Sequence, residues 1–199
     1  MLAKESVRNN FQIDLLRHGE TTAGKVYLGV TDAPLNGRGW QQMWQAVEGQ
    51  THWQRITTSP LKRCREFATQ LADRLNLPLT IEPRFQEMNF GRWDGYSAKD
   101  ILATELTGLT RFWTDPLKHS PPEGESLLAV NKRVLNAWQE LVLNQQHQLL
   151  ITHGGPIRLL RCRTEQITLE EIMNLSVAHG QLHSVFIANP IATDKLTQR

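Results

Sequence analysis

The chain has 199 residues, of which 40% are apolar and 21% are charged, the balance of an ordinary globular protein. Its 22 basic and 20 acidic residues leave a net charge of +2. The basic residues are scattered, so neither nucleic acid nor an anionic membrane surface is expected as a partner. The length suits one domain, expected over 1–199, with a substantial core.

Three features favour the cytoplasm. The first ten residues include charged ones and have no apolar core, so they are not typical of a signal peptide. No apolar run approaches the length that spans a bilayer. Cys64 and Cys162 are far apart in predicted helices, as expected for free thiols in a reducing compartment. We therefore expect a cytoplasmic protein with no membrane partner.

The first predicted element is a buried strand over 11–16, which stops abruptly at Arg17-His18-Gly19. Because ligands of open α/β sheets bind beyond the carboxyl ends of strands, Arg17 and His18 are expected at a binding site. Arginine offers a planar fork of donors to phosphate, and a neutral imidazole can act as a nucleophile or base. Gly19 permits a sharp turn or a close approach to a ligand. A strand that ends in Arg-His can also be a surface cap, so this segment alone does not establish a site.

A long loop over 22–36 and a helix separate the first strand from a second one over 53–58. Ser59 and Pro60 follow, and they suit the N-cap and the first position of another helix. Arg63 then lies in the first turn of that helix, where the helix dipole favours an anion.

A short third strand over 79–82 leads into a loop that carries Glu87, a position that in isolation is typical of a solvent-facing side chain. A short helix is predicted over 96–106. The next segment, 107–124, is predicted to be irregular because it contains Asp-Pro and Pro-Pro pairs among aromatic residues. Two interpretations of it remain open, a surface connection anchored by its aromatic residues and a flap that borders the substrate.

The second half of the chain repeats the pattern of the first strand. A long amphipathic helix is predicted from Leu127 to Val142, and the next apolar run predicts a strand that ends in His153-Gly154-Gly155. Two strands that end in this way would bring two imidazoles to one edge of a sheet. Another helix begins directly after the glycines, so its amide end faces the same site, and a final strand follows.

The segments 16–21 and 152–155, which read Leu-Arg-His-Gly-Glu-Thr and Thr-His-Gly-Gly, resemble the two signature segments of the histidine phosphatase (phosphoglycerate-mutase-like) superfamily. The resemblance continues, in the family's order, through Ser59–Arg63, Glu87–Gly95 and Pro121–Ser126. Several spaced motifs together are specific, whereas Arg-His-Gly alone is a weak signal. The resemblance implies an α/β fold, a three-layer αβα sandwich with a mostly parallel central sheet.

The same resemblance implies a phosphatase that needs neither a metal nor a cofactor. His18 would attack phosphorus and form a phosphohistidine, and Glu87 would give the leaving alkoxide its proton. The positive charge that the equatorial oxygens need would come from arginine side chains. The implied phosphate-binding residues are Arg17, Arg63, His153 and Gly154.

Two positions depart from the family's pattern. Gly24 stands where members often have Asn, which removes a side-chain donor to the phosphate or replaces it by a backbone amide. Phe67 replaces a small residue, which should affect packing more than chemistry. A metal site at His179 and His183 is not expected, because a glycine lies between them and no glutamate completes a helical metal motif.

Within the superfamily the chain most resembles the alpha-ribazole-5'-phosphate phosphatases of cobalamin assembly, through its loop at 27–35, Asp115-Pro116 and 122–126. The short segment between Glu87 and His153 and the short tail favour a hydrolase over a mutase. The expected partner is therefore a small phosphomonoester. The alternatives are a broad-specificity or sugar-phosphate phosphatase, a phosphoglycerate mutase, and an inactive protein that binds phosphorylated ligands. The oligomeric state stays open, a homodimer included.

Overall fold

The computed structural model describes residues 10–188, and none of the helices in that range is both long and apolar enough to cross a bilayer. Two predictions concern residues outside this range. One is that the N-terminal segment is not a signal peptide, and the other is that the short tail after Ala188 favours a hydrolase. The strands are β1 Phe11–Arg17, β2 Arg55–Thr58, β3 Leu79–Ile81, β4 Gln148–Thr152 and β5 Leu182–Ile187. The α-helices are α1 Gly37–Ala46, α2 Lys62–Leu75, α3 Ala98–Thr114, α4 Leu127–Leu143 and α5 Gly154–Glu165. Short 3-10 helices lie at Pro83–Phe85, Gly91–Trp93 and Leu169–Asn174.

The strands form one sheet in the order β3-β2-β4-β1-β5. All neighbouring pairs are parallel except β1 with β5, which are antiparallel at one edge of the sheet. Arg17 lies opposite Thr152, and Thr58 lies opposite Ile151, so β1, β4 and β2 end side by side. The residues that follow these three strands therefore meet at one edge.

The central strands alternate between two apolar cores, as a strand buried on both faces must. Ile13, Leu15 and Leu150 pack on one side with residues of α3, α4 and α5. Leu16 and Ile151 pack on the other side with residues of α1 and α2. The predicted three-layer sandwich with a mostly parallel sheet is confirmed.

The predicted end of the third helix near residue 106 is wrong, because α3 extends well beyond it. The helical geometry breaks at Glu105, with φ −134° and ψ 48°, and the carboxylate of Glu105 accepts a hydrogen bond of 3.0 Å from Trp93 Nε1. After this break Leu109 and Phe112 are buried in the core. Tertiary packing thus outweighs the weak helix propensity of the glycine and threonines in this stretch. The movement of 107–124 as a flap stays a prediction.

The predicted cap of α2 is also wrong. The helix begins at Lys62, whose backbone N–H donates to Asp32 Oδ1 at 2.6 Å. Asp32 belongs to the long loop after β1, so a side chain distant in sequence supplies the acceptor that Ser59 was expected to supply. The hydroxyl of Ser59 instead lies 2.7 Å from His153 Nε2.

Candidate active site

The ends of β1 and β4 bring two histidines together, as the sequence predicts. The rings of His18 and His153 are 5.1 Å apart between centroids and inclined at 63° to each other, and both are buried. Gly19 is required here for packing: a Cβ on it would lie 2.2 Å from the carbonyl oxygen of Gly39 in α1. The sequence predicts a sharp turn or a close approach to a ligand at Gly19. The structure shows a close approach to helix α1 of the same chain.

His18 is held as a neutral imidazole with one nitrogen available for chemistry. Its Nδ1 lies 2.7 Å from the carbonyl oxygen of Gly19, and because a carbonyl can only accept, Nδ1 carries the proton. Burial, and then the charges of Arg63 and Arg17, hold the pKa of His18 well below its usual value. The Nε2 of a neutral ring in this tautomer carries a lone pair, which is what a nucleophile needs.

Arg17 presents an unmet donor next to His18. Its Nη1 donates to the carbonyl of Val177, and its Nη2 lies 3.0 Å from His179 Nε2. Its Nε is buried and has no hydrogen-bond partner among residues 10–188. A buried donor of this kind is costly unless an acceptor reaches it. Nε lies only 3.5 Å from the point that a Cβ on Gly154 would occupy, so Gly154 leaves room beside it.

Arg63 holds the loop after β1 in place in this structure. Its side chain has no exposed surface, and its Nη atoms donate to the carbonyls of Leu28, Gly29 and Thr31 at 2.8–3.0 Å. Its Nε donates to His153 Nδ1 at 3.2 Å. Arg63 therefore fixes the loop after β1 from behind, and its expected contact with phosphate stays a prediction.

Both ring nitrogens of His153 also make hydrogen bonds. Its Nδ1 accepts from Arg63, so its Nε2 carries the proton and donates to Ser59 Oγ. Burial and the neighbouring charge of Arg63 hold its pKa well below the usual value, so the ring is neutral. Cys64 lies against the same ring, and burial raises the pKa of its thiol, which excludes it as a thiolate nucleophile at neutral pH. A direct bond from His153 to phosphate stays a prediction.

Glu87 lies across the site at the amide end of α5. Its Oε2 accepts from the backbone N–H of Gly155 at 3.2 Å, and its Oε1 accepts from the N–H of Met88 at 3.0 Å. A Cβ on Gly155 would lie 2.3 Å from Oε1, so the glycine makes room for the carboxylate. The helix terminus that the sequence predicts to face the phosphate thus orients Glu87 through Gly155.

These groups surround a cavity of about 500 Å³. Arg17, His18, Glu87 and Gly154 line it, whereas Arg63 and His153 lie behind its wall. A larger cavity of about 780 Å³ lies beside α1 and α2 and contains none of these residues. Within residues 10–188 no cluster of His, Cys, Asp and Glu is arranged to hold a metal ion.

His179 and Arg158 also line the cavity, and neither was predicted as a site residue from the sequence. His179 lies beside Arg17, with its ring centroid 5.4 Å from that of His18, and burial beside Arg17 lowers its pKa to about 4. Arg158 reaches the cavity from α5. His179 carries no local signal, because it approaches from the segment before β5. Arg158 carried a local sequence signal, since it lies one turn into the helix that follows His153-Gly154-Gly155.

Acid should destabilise the protein through the two fully buried histidines. His18 and His153 bind protons less readily when folded than at the ordinary histidine pKa near 6.5. Stability rises with pH wherever the unfolded chain binds more protons, so it is lost as pH falls below about 6.5. Each group contributes up to about 1.4 kcal/mol per pH unit. Urea unfolding at pH 7.5, 6.5 and 5.5 measures this slope.

The matched variants for this slope are His153→Gln and His119→Gln. The first removes a buried titrating ring and should flatten the pH dependence. The second removes a histidine that does not line the cavity and should keep it. A wild-type stability that stays constant from pH 6.5 to 5.5 would contradict the assignment of neutral rings.

A family model described as the histidine phosphatase superfamily (branch 1) matches residues 13–190. The chain is 30% identical to 2,3-bisphosphoglycerate-dependent phosphoglycerate mutase 1 of Latilactobacillus sakei, over 84% of this chain and 85% of that protein. It is 28% identical to the adenosylcobalamin/alpha-ribazole phosphatase of Escherichia coli, over 90% and 91%. The crystal structure of the alpha-ribazole phosphatase from Shigella flexneri matches with a TM-score of 0.79 at 25% identity, over 90% and 95%. This chain is an enzyme of the histidine phosphatase superfamily, branch 1.

Proposed function

We propose that this chain hydrolyses phosphate monoesters through a phosphohistidine on His18, without a metal ion. The observation that carries the proposal is the state of His18. It is a neutral ring whose Nδ1–H is fixed by Gly19, so that Nε2 keeps its lone pair beside Arg17 at the cavity. A ring in this tautomer can attack phosphorus without first losing a proton.

In the first step the lone pair of His18 Nε2 forms a bond to phosphorus while the ester P–O bond breaks. The leaving alkoxide takes the proton of the Glu87 carboxyl group. In the second step a water oxygen attacks phosphorus and gives a proton back to Glu87. The Nε2–P bond breaks, and phosphate and neutral His18 are released. Arg17 supplies positive charge to the equatorial oxygens in both steps.

For the substrate we propose alpha-ribazole 5'-phosphate. Apolar and aromatic side chains also line the cavity: Val26, Tyr27, Leu28, Phe90 and Ala98. The rings of Tyr27 and Phe90 pack edge to face, 5.0 Å apart, and offer a surface for a flat ring. The alcohol part of alpha-ribazole phosphate carries a flat, apolar benzimidazole. The alpha-ribazole phosphatases among the relatives support the same assignment.

Substrate preference tests this proposal. Burying one aromatic ring is worth about 1.5–3 kcal/mol, so kcat/KM for alpha-ribazole 5'-phosphate should exceed that for ribose 5-phosphate by about 10–100-fold. Phosphate release is measured with EDTA present. The variant Phe90→Ala should reduce this preference while leaving turnover of ribose 5-phosphate near the wild-type value.

Two outcomes would overturn the assignment. Equal kcat/KM values for all the phosphomonoesters tested would indicate a broad-specificity phosphatase. The 30% identical mutase makes phosphoglycerate mutase the second candidate. Conversion of 3-phosphoglycerate to 2-phosphoglycerate without release of phosphate would establish that candidate.

A further inference from the structure

Both arginines of the implied phosphate site already make hydrogen bonds within the protein. The guanidinium of Arg63 makes four hydrogen bonds, three to loop carbonyls and one to His153, and it does not line the cavity. The guanidinium of Arg17 uses one N–H of Nη1 for Val177 and one of Nη2 for His179, which leaves the Nε–H and the second N–H of each Nη. Phosphoryl transfer needs cationic donors around all three equatorial oxygens.

Arg158 brings further free donors to this site. Its Nε donates to the carbonyl of Leu175 at 2.7 Å, which fixes the direction of its guanidinium. Neither Nη1 nor Nη2 has a hydrogen-bond acceptor in the part of the chain that the structure describes. The side chain lines the same cavity as His18 and Glu87.

Arg158 and Arg17 converge on one point. A Cβ on Gly154 would lie 3.4 Å from Arg158 Nη1 and 3.5 Å from Arg17 Nε and Cζ. The absent side chain of Gly154 therefore opens a space that both guanidinium groups border. Burial is the main cause that lowers the pKa of Arg17, and the charge of Arg158 adds to it. Two cations held so close together, with donors unused, favour an anion between them.

We propose that Arg158 is a further catalytic residue of this enzyme, which binds the transferring phosphoryl group together with Arg17. The inference rests on the proposed phosphatase function. Arg158 donates from Nη1 or Nη2 to an equatorial oxygen and stabilises the charge on that oxygen as His18 attacks. This role adds to that of Arg17, and the expected contact of Arg63 with phosphate stays a prediction.

The test compares Arg158→Gln, Arg158→Lys and a matched control, Arg161→Gln. Arg161 lies on the same helix and donates to the carbonyl of Ser176, so it anchors the same segment as Arg158 without lining the cavity. The measurements are kcat for nitrophenyl phosphate, the inhibition constant of inorganic phosphate, and the melting temperature of each variant.

Arg158→Gln should lower kcat by about 10²-fold, the usual cost of losing one donor to a developing charge. The inhibition constant of phosphate should rise by about 10–100-fold, since a hydrogen bond to a charged group is worth about 1.5–3 kcal/mol. Arg158→Lys keeps the charge but loses the bond to Leu175, and it should recover part of the phosphate affinity. Arg161→Gln should match the wild type in both quantities.

Three outcomes would overturn the inference. An inhibition constant for phosphate that stays within twofold of wild type in Arg158→Gln would remove Arg158 from the phosphoryl site. If only the KM of a carboxylate-bearing substrate then rose, Arg158 would bind a second anion. Equal losses in the Gln and Lys variants, with a lowered melting temperature, would reduce Arg158 to an anchor for Leu175. A wild type that neither turns over phosphomonoesters nor binds phosphate would instead refute the proposed function.

Discussion

The variant His18→Ala is expected to lose turnover of every phosphomonoester, by about 10⁴–10⁶-fold in kcat, the scale of removing a covalent nucleophile. The physical reason is that Nε2 of His18 lies at the cavity with its lone pair free, because Gly19 fixes the tautomer and burial beside two arginines keeps the ring neutral. Steady-state kinetics on alkyl and nitrophenyl phosphates measure the loss.

His119→Ala is the control for this loss. It removes a histidine that does not line the cavity and should leave kcat unchanged. Circular dichroism and the melting temperature must confirm that His18→Ala remains folded. Turnover within tenfold of wild type in a folded His18→Ala protein would refute the mechanism.

The variant Glu87→Gln should separate substrates by the quality of their leaving group. A proton donor matters most when an alkyl alkoxide leaves, so the loss there should be about 10²–10⁴-fold. Nitrophenolate leaves without a proton, so its release in the first step should change much less. The second step also slows, because Glu87 takes a proton from the attacking water, so the phosphoenzyme should accumulate. Burst kinetics with both substrate types measure the two steps separately.

Glutamine at position 87 also changes the hydrogen bonds that hold this side chain. Both carboxylate oxygens accept backbone N–H groups, from Met88 and Gly155, and the amide nitrogen of a glutamine cannot accept either of them. The melting temperature is therefore measured alongside, and Glu48→Gln, at an exposed position after α1, is the control. Equal losses in the phosphorylation step for alkyl and aryl substrates would assign Glu87 a structural role.

The position of the site followed from the sequence because it depends on local patterns. Two buried strands that each end in His-Gly are recognisable from the order of apolar and polar residues, and parallel pairing then places His18 beside His153. The same reasoning placed Arg63 at the start of α2 and Glu87 in a loop after β3. The layered fold was implied by the family resemblance.

The contacts that each side chain makes from its position could not be predicted from the sequence. Whether Arg63 faces the cavity depends on the loop carbonyls at Leu28 and Gly29, which only the folded loop brings to it. His179 and Arg158 are held at the cavity by contacts with other segments of the chain, His179 with Arg17 and Arg158 with Leu175. The length of α3 was missed for a similar reason, since packing of its second half against the core outweighs local propensity.

The central claim is a covalent phosphohistidine on His18, and rapid-quench trapping with a labelled phosphomonoester tests it most directly. The enzyme is quenched with base within one turnover, digested, and the position of the phosphate is found by mass spectrometry. The label in wild type, and at a higher level in Glu87→Gln, should be acid-labile, base-stable and confined to the peptide that contains His18. A label on another residue, or turnover with no labelled enzyme in either protein, would contradict the account.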